Sequence, residues 1–215
     1  MLFGGPMVRA LLAGTKTQTR RAVKGIEITE GAVPGTFTFE YRTKSRYGFG
    51  QNVRAAELGV PLIGIGDLCP YGQPGDRLWV RETWGEYPIG NLHYLYRAND
   101  SDAEFGKEIG LKWKPSIFMK RAASRLLLEI TAVRVERVQD ISEADAVAEG
   151  VEVTSKGEYI NRYKHYTEGG GGLDAQHSYQ SLWASINGPA SWAANPWVWV
   201  VEFKVIAAGK EVAQC

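Results

Sequence analysis

The chain is short of the residues on which several kinds of function depend. Of its 215 residues two are cysteine and three are histidine. Cys69 stands beside Pro70 and Cys215 is the last residue, so their spacing suits neither a zinc ligand set nor a redox pair. Two isolated thiols predict a reducing, cytoplasmic setting. His93, His165 and His177 are too scattered for a metal motif, and no metal is expected. The glycines at 169–172 lack the Lys-Ser/Thr ending of a phosphate-binding loop, and Gly64-Ile65-Gly66 is a fragment of a dinucleotide fingerprint, so no cofactor is expected either. Long apolar runs are missing as well. The opening MLFGGPMVRALLAG is broken by Gly-Gly-Pro and an arginine, which argues against a signal peptide or a membrane span and predicts a soluble protein.

Charge of one sign is also lacking: 25 basic residues face 24 acidic ones, a formal net charge of +1. Bulk electrostatics therefore announce no polyanion partner. Placement is uneven, however. Five basic residues (Arg9, Lys16, Arg20, Arg21, Lys24) and no acid lie between Met1 and Ile26, whereas Glu129 to Glu152 holds seven acids against two arginines. The N-terminal segment is thus a candidate positive patch. With 44% hydrophobic and 11% aromatic residues the chain can fill a real core, as one domain of 215 residues.

Pro6 near a helix start, apolar Val8, Leu11 and Leu12, and Gly14 as a stop predict a short helix over 6–13. Residues 25–75 hold glycines and prolines without sustained periodicity, which predicts a long inserted loop with at most short strands. Alternation predicts a strand over 77–84, another over 92–98, and a long one over 124–138. In the last, Leu126, Leu128 and Ile130 share a face before the apolar phase shifts to Val133 and Val135, which requires a β-bulge near Thr131 or Ala132. Ser142 and Asp145 open a helix in capping-box fashion and Gly150 closes it. The glycines at 169–172 predict a mobile loop within a second insertion over 151–176. Tyr179, Leu182, Trp183 and Ile186 fall on one face of an amphipathic helix, and Trp197 to Val205 alternates as a closing strand buried on one side. Antiparallel-type strands with interspersed short helices predict an α+β protein built on a small mixed β-barrel with short flanking helices.

A helix ending in Ala13-Gly14, then Lys16-Thr17-Gln18-Thr19-Arg20-Arg21, then Gly75-Asp76 opening a strand, then the helix over 140–150, and an apolar strand ending Val201-Glu202-Phe203, resembles in order the ASCH family of PUA-like proteins. The stretches 69–84 and 182–203 look like its longer members in phage and prophage genomes. The resemblance implies a PUA-like barrel and a cleft for a nucleobase or nucleic acid. Smaller members act as amidohydrolases on N4-acetylcytidine, and Lys16, Thr19 and Glu149 match their catalytic lysine, threonine and glutamate, with Arg21 matching an arginine shortly after the threonine. The insertions over 25–75 and 151–176 depart from that compact pattern and leave the substrate open.

Chemistry gives the set a rationale. A threonine hydroxyl needs a base to become a nucleophile, and a lysine can serve when desolvation or nearby cations such as Arg20 and Arg21 hold its pKa down. A glutamate beside that lysine works the other way, although it can orient the amine or protonate a leaving group. In a regular strand residues three apart point to opposite faces, so Lys16 and Thr19 converge only if Lys16 lies in the loop and Thr19 in the strand. A carboxylate at the end of the later helix opposes the helix dipole, which makes Glu149 a mild electrostatic misfit.

Arg20, Arg21, Arg81, Arg121 and Arg125 are candidate phosphate or substrate contacts, against the plainer account of a strand arginine paired with a glutamate. Trp84 and Trp113 are candidates for stacking a base, whereas Trp197 and Trp199 alternate like core residues. Three readings stay open: a nucleobase cleft with amidohydrolase activity toward a modified nucleoside, a noncatalytic module for RNA or other single-stranded nucleic acid, and a phage-encoded scaffold that meets a protein partner.

Overall fold

The computed structural model describes residues 1–30, 37–42, 52–54, 69–87, 93–157, 161–167, 171–172 and 174–209. The first half contains α1 (Gly5–Leu12), β1 (Gln18–Ala22), β2 (Ile26–Glu30), β3 (Phe37–Arg42), β4 (Asn52–Arg54), β5 (Arg77–Trp79), β6 (Trp84–Tyr87), β7 (His93–Tyr96) and α2 (Asp100–Glu108). The second contains β8 (Leu126–Arg137), α3 (Glu143–Ala148), β9 (Val153–Lys156), β10 (Asn161–Lys164), β11 (Gly171–Gly172), α4 (Ala175–Asn187) and β12 (Trp197–Ala208). The fold is α+β with antiparallel sheets. Its main sheet runs β1-β12-β8-β5. Among the described residues no pairing joins β1 to β5, and the pairings describe no closed barrel.

The centre of that sheet is the pair of 12-residue strands β8 and β12. Glu202 faces Ala132 while Phe203 faces Ile130, which leaves Thr131 as the extra residue. The bulge sits where the apolar phase shift demanded it, and it lets Leu128, Ile130 and Val135 all turn inward. In β12 one-sided burial does not hold: Val198, Trp199, Val200 and Val201 are each at most 1% exposed, so both faces are covered. Continuous burial of this kind is what a central strand between two packed layers shows, and each such side chain contributes about 1.5–3 kcal/mol by leaving water. Trp197 at the strand's start is half-buried, donating its indole N–H to the Ile28 carbonyl at 3.1 Å.

Three other expectations change. The strand expected over 77–84 is split, because β8, its partner, begins only at Leu126 and the chain beyond Val80 turns to pair with the N-terminal segment: Phe3 N–H donates to the Arg81 carbonyl at 3.0 Å. The strand expected over 92–98 is β7, with residue 92 outside the described residues. The loop expected over 151–176 instead holds the sheet β9-β10-β11. Of the glycines read as a mobile loop, 171–172 pair with β10 and 169–170 lie outside the described residues. Within the insertion over 25–75, β2, β3 and β4 form a meander of short strands, and the Gly64–Gly66 fragment lies outside the described residues, as does Cys215. Cys69 is a buried free thiol. Among the described residues no helix is long and apolar enough to cross a membrane.

Helices α3 and α4 are fixed at their starts by side-chain caps. Ser142 caps α3 by accepting the Asp145 N–H at 3.1 Å, as its sequence predicted. Asp174 caps α4 through the His177 N–H at 2.7 Å. Glu143 of α3 reaches across to the same end of α4, accepting the Ala175 and Gln176 N–H groups at 2.7 and 3.1 Å. A carboxylate on the exposed donors of a helix start satisfies them and meets the positive end of the helix dipole.

Candidate functional site

The site begins at the C-terminal end of α3, whose last carbonyls need donors from outside the helix. Residues 16–18, which lead into β1, supply them. Thr17 N–H donates to the Ala148 carbonyl at 2.9 Å, Gln18 Nε2 to the Asp145 carbonyl at 2.9 Å, and Lys16 Nζ to the Glu149 carbonyl at 2.7 Å. Gly150 makes this approach feasible. Its φ of +79° is left-handed, and a Cβ there would stand 2.8 Å from the Ala10 Cβ and 2.9 Å from the Lys16 Cβ. Only glycine fits both the turn and the contact.

Lys16 is 2% exposed and Glu149 3%. The amine also donates to Glu149 Oε2 at 3.0 Å. The other carboxylate oxygen, Oε1, accepts from Arg20 Nη1 at 3.2 Å. The misfit read in the sequence is resolved here, since two cations hold the carboxylate that the helix end disfavours. Arg20 continues the network to Glu136, accepted from Nε at 2.9 Å, and to Asp145 Oδ2 from Nη2 at 3.2 Å. Arg134 closes it, bridging Glu136, Asp145 and Glu202. Burial alone would raise the Asp145 carboxyl, but the Arg20 and Arg134 guanidiniums outweigh it and hold the group below its usual value.

Burial is also the main force on Lys16. It pushes the amine below the usual lysine range; the Glu149 carboxylate opposes this, and Arg21 and Arg20 add to the lowering. Desolvation, with the arginines second, is thus the source of the pressure toward a neutral amine.

Lys16, Thr19, Arg20, Arg21 and Glu149 line one cavity of about 520 Å³. Lys16 lies in the loop before β1 and Thr19 within the strand, the arrangement that convergence required. Thr19 is 4% exposed, and its hydroxyl has no hydrogen-bond partner among the described residues. Arg21 rests over the Phe3 ring, 5.5 Å from its centroid, and donates Nη2 to the Leu2 carbonyl at 2.7 Å.

The remaining candidates lie elsewhere or are committed. Arg20, expected as a ligand contact, has its donors engaged by three carboxylates. Arg125 makes two hydrogen bonds to Glu82, at 2.8 and 2.9 Å, and a third to Asn99, which is the plainer account of a strand arginine. Arg81 stacks on Trp79 at 4.2 Å, and Arg121 sits in the turn Arg121–Ala123; neither lines the cavity. Trp84 is 1% exposed, packed against Tyr94 and Met119, so no face is open to a base. Trp113 packs its ring on Gly106 of α2, away from the cavity. Among the described residues no three histidine, cysteine, aspartate or glutamate side chains gather to hold a metal ion.

Sequence reasoning missed the far wall. Tyr179, Leu182, Trp183 and Ile186 of α4 line the cavity, whereas their spacing alone reads as a core face. The signal available was the presence of two hydrogen-bonding aromatics, Tyr179 and Trp183, on an otherwise apolar stripe. Compared with known proteins, the chain matches no protein-family model, no curated protein and no solved structure.

Proposed function

We propose that this cavity binds a nucleobase-sized ligand and hydrolyses an amide on it, with an acylated cytosine nucleoside such as N4-acetylcytidine as the substrate class. The observation that carries the reading is the convergence of Lys16, Thr19 and Arg21, from one segment, with Glu149, 133 residues beyond Lys16, on one cavity of about 520 Å³. Its size lies within the range of about 300–1,000 Å³ that suits small ligands. Aromatic side chains (Phe3, Tyr166, Tyr179, Trp183) among its lining suit a flat heterocycle. The ordered resemblance to ASCH proteins supports the same reading, and with it a PUA-like origin for the sheet β1-β12-β8-β5.

In this reaction the neutral Lys16 amine takes the Thr19 proton as the hydroxyl oxygen attacks the acyl carbon. The carbon–nitrogen bond then breaks, and the amine of the base leaves with the proton returned by Lys16. Water, deprotonated by the same amine, then adds to the acyl carbon; the bond to the Thr19 oxygen breaks, Lys16 returns the proton to that oxygen, and the acid leaves. Glu149 and Arg20 keep the amine in place, and Arg21 borders the ligand. Incubation with N4-acetylcytidine tests this, with cytidine and acetate measured by chromatography. Turnover by the wild type and none by Lys16→Ala is expected; an inert wild type would sink the proposal.

Binding of single-stranded nucleic acid is less well supported. Arg20 and Arg125 are neutralised by carboxylates and Trp84 is enclosed, so three of the residues that a polymer track would use are held within the fold. A polymer site would lose affinity steeply with salt, about 10³-fold or more between 50 and 200 mM where six or more phosphates are contacted. A nucleoside site would change little.

A further inference from the structure

Tyr179 is 3% exposed, held between the rings of Trp183 and Trp192, each with its centroid 6.3 Å away. Its ring lies 5.9 Å from the guanidinium carbon of Arg20, whose Nη1 grips the Glu149 carboxylate. It lines the cavity together with Lys16 and Thr19. Its hydroxyl has no hydrogen-bond partner among the described residues. That is unusual, because a buried phenol normally finds an acceptor. Nor is the oxygen sealed into the core: the Trp183 indole N–H one turn on is an enclosed orphan, whereas the Tyr179 oxygen is not. A rigid, buried donor on a cavity-lining residue, with no acceptor in the protein, can take one from a ligand.

We propose that the Tyr179 hydroxyl is a catalytic donor of this cavity, holding the acyl oxygen of the ligand as negative charge gathers on it. The inference rests on the amide-hydrolysis reading, to which it adds a donor from α4 for the tetrahedral oxyanion. No proton is transferred in this role; the hydrogen bond strengthens as the carbonyl oxygen becomes an alkoxide and relaxes when the carbon–nitrogen bond breaks. The ring is fixed by its neighbours before the ligand arrives, so little reorganisation accompanies the charge. Burial first, and the nearby Glu149 carboxylate second, push the phenol well above its ordinary range. The group therefore keeps its proton throughout the working pH range and donates; it does not act as a base. Arg20 and Lys16 cannot take this place, since both are turned to Glu149.

Tyr179→Phe in the full chain is the decisive variant, because it keeps the ring and its packing and removes one oxygen. The melting temperature should stay at the wild-type value, since the hydroxyl has no protein partner to lose. With N4-acetylcytidine, kcat should fall on the order of 10²-fold, the usual effect of deleting one oxyanion donor. KM and the midpoint of the pH profile should hardly move, which a general structural disturbance would not spare. A folded variant with wild-type kcat overturns the inference and leaves the hydrolase reading standing. A wild type that binds N4-acetylcytidine without turnover removes the hydrolase reading, and this donor role falls with it. A wild type that neither binds nor turns over the nucleoside removes both readings together.

Discussion

Lys16 and Glu149 are bound to each other twice, once through the main-chain carbonyl at 2.7 Å and once through the carboxylate at 3.0 Å. The first bond ties the amine to the negative end of α3 and the second sets its charge balance, so position and reactivity of the lysine depend on one neighbour. Removing either partner leaves a buried charge with less compensation. Lys16→Met is expected to cost about 3 kcal/mol of stability. Glu149→Gln should cost a similar amount, because it strands both Lys16 and Arg20. The double variant should be less unstable than the sum of the two, by about 1–3 kcal/mol. Urea unfolding of the four proteins checks this, and strict additivity would show that the pair is not coupled.

Thr19 separates chemistry from stability. Its hydroxyl has no partner among the described residues, so Thr19→Val should shift the unfolding free energy by no more than about 0.5 kcal/mol. Turnover of an acylated nucleoside should nevertheless vanish, while Thr19→Ser keeps part of it. An active valine variant would remove Thr19 as the nucleophile.

The lowered pKa of Lys16 sets a pH dependence with a definite sign. The reactive amine is the unprotonated form, so kcat/KM should rise with pH to a plateau, with a midpoint below the ordinary lysine value of 10.5. Stability moves in the same direction. The folded chain releases this proton before the unfolded chain does, so the contribution of Lys16 is flat below the folded pKa and climbs with pH between that value and 10.5. Arg21 is one of the cations that lower the pKa, and Arg21→Gln should move the midpoint of kcat/KM upward. A midpoint that stays put or falls in that variant contradicts the electrostatic coupling.

Gly150 should tolerate no side chain. Alanine there combines a left-handed φ of +79° with contacts of 2.8 and 2.9 Å to Ala10 and Lys16. A stability loss of about 2 kcal/mol is expected. Activity should fall further than stability explains, since relief of the clash shifts Lys16 itself. Thermal melting alongside kcat at a temperature where the variant remains folded separates the two effects.

Much of the scaffold could be read from residue order, because its signals are local. The Ser142 cap, the stop at Gly14 and the bulge at Thr131 each follow from chemistry within a few residues. The Lys16–Glu149 meeting is nonlocal and was reached through resemblance and not through periodicity. What was missed lacked a local signal. Helix α2 carries a single large apolar residue, Phe105, and an internal glycine, Gly106, so its amphipathic pattern is faint. The sheet β9-β10-β11 is short and polar, and reads as loop. Trp84 looked available because it lies near a loop, yet a tryptophan on a short strand is enclosed as readily as one on a long strand once Tyr94 and Met119 close over it. Arg20 and Arg21 are neighbours in sequence, and only the alternation of side chains along the strand sends one into three carboxylates and the other to the Leu2 carbonyl.

The clamp of Glu143 on the first turn of α4 has a consequence for how such a chain can diversify. The carboxylate grips main-chain N–H groups, so its hold is indifferent to the side chains that α4 carries farther along. The residues proposed to break the bond, Lys16, Thr19 and Glu149, meanwhile belong to the loop before β1, to β1 and to the end of α3. Exchanges at Leu182, Trp183 and Ile186 therefore reshape the wall that meets a ligand while the helix stays seated at the same angle. On the proposed reading, variants differing only at these three positions sort by what they accept, with one reaction in common.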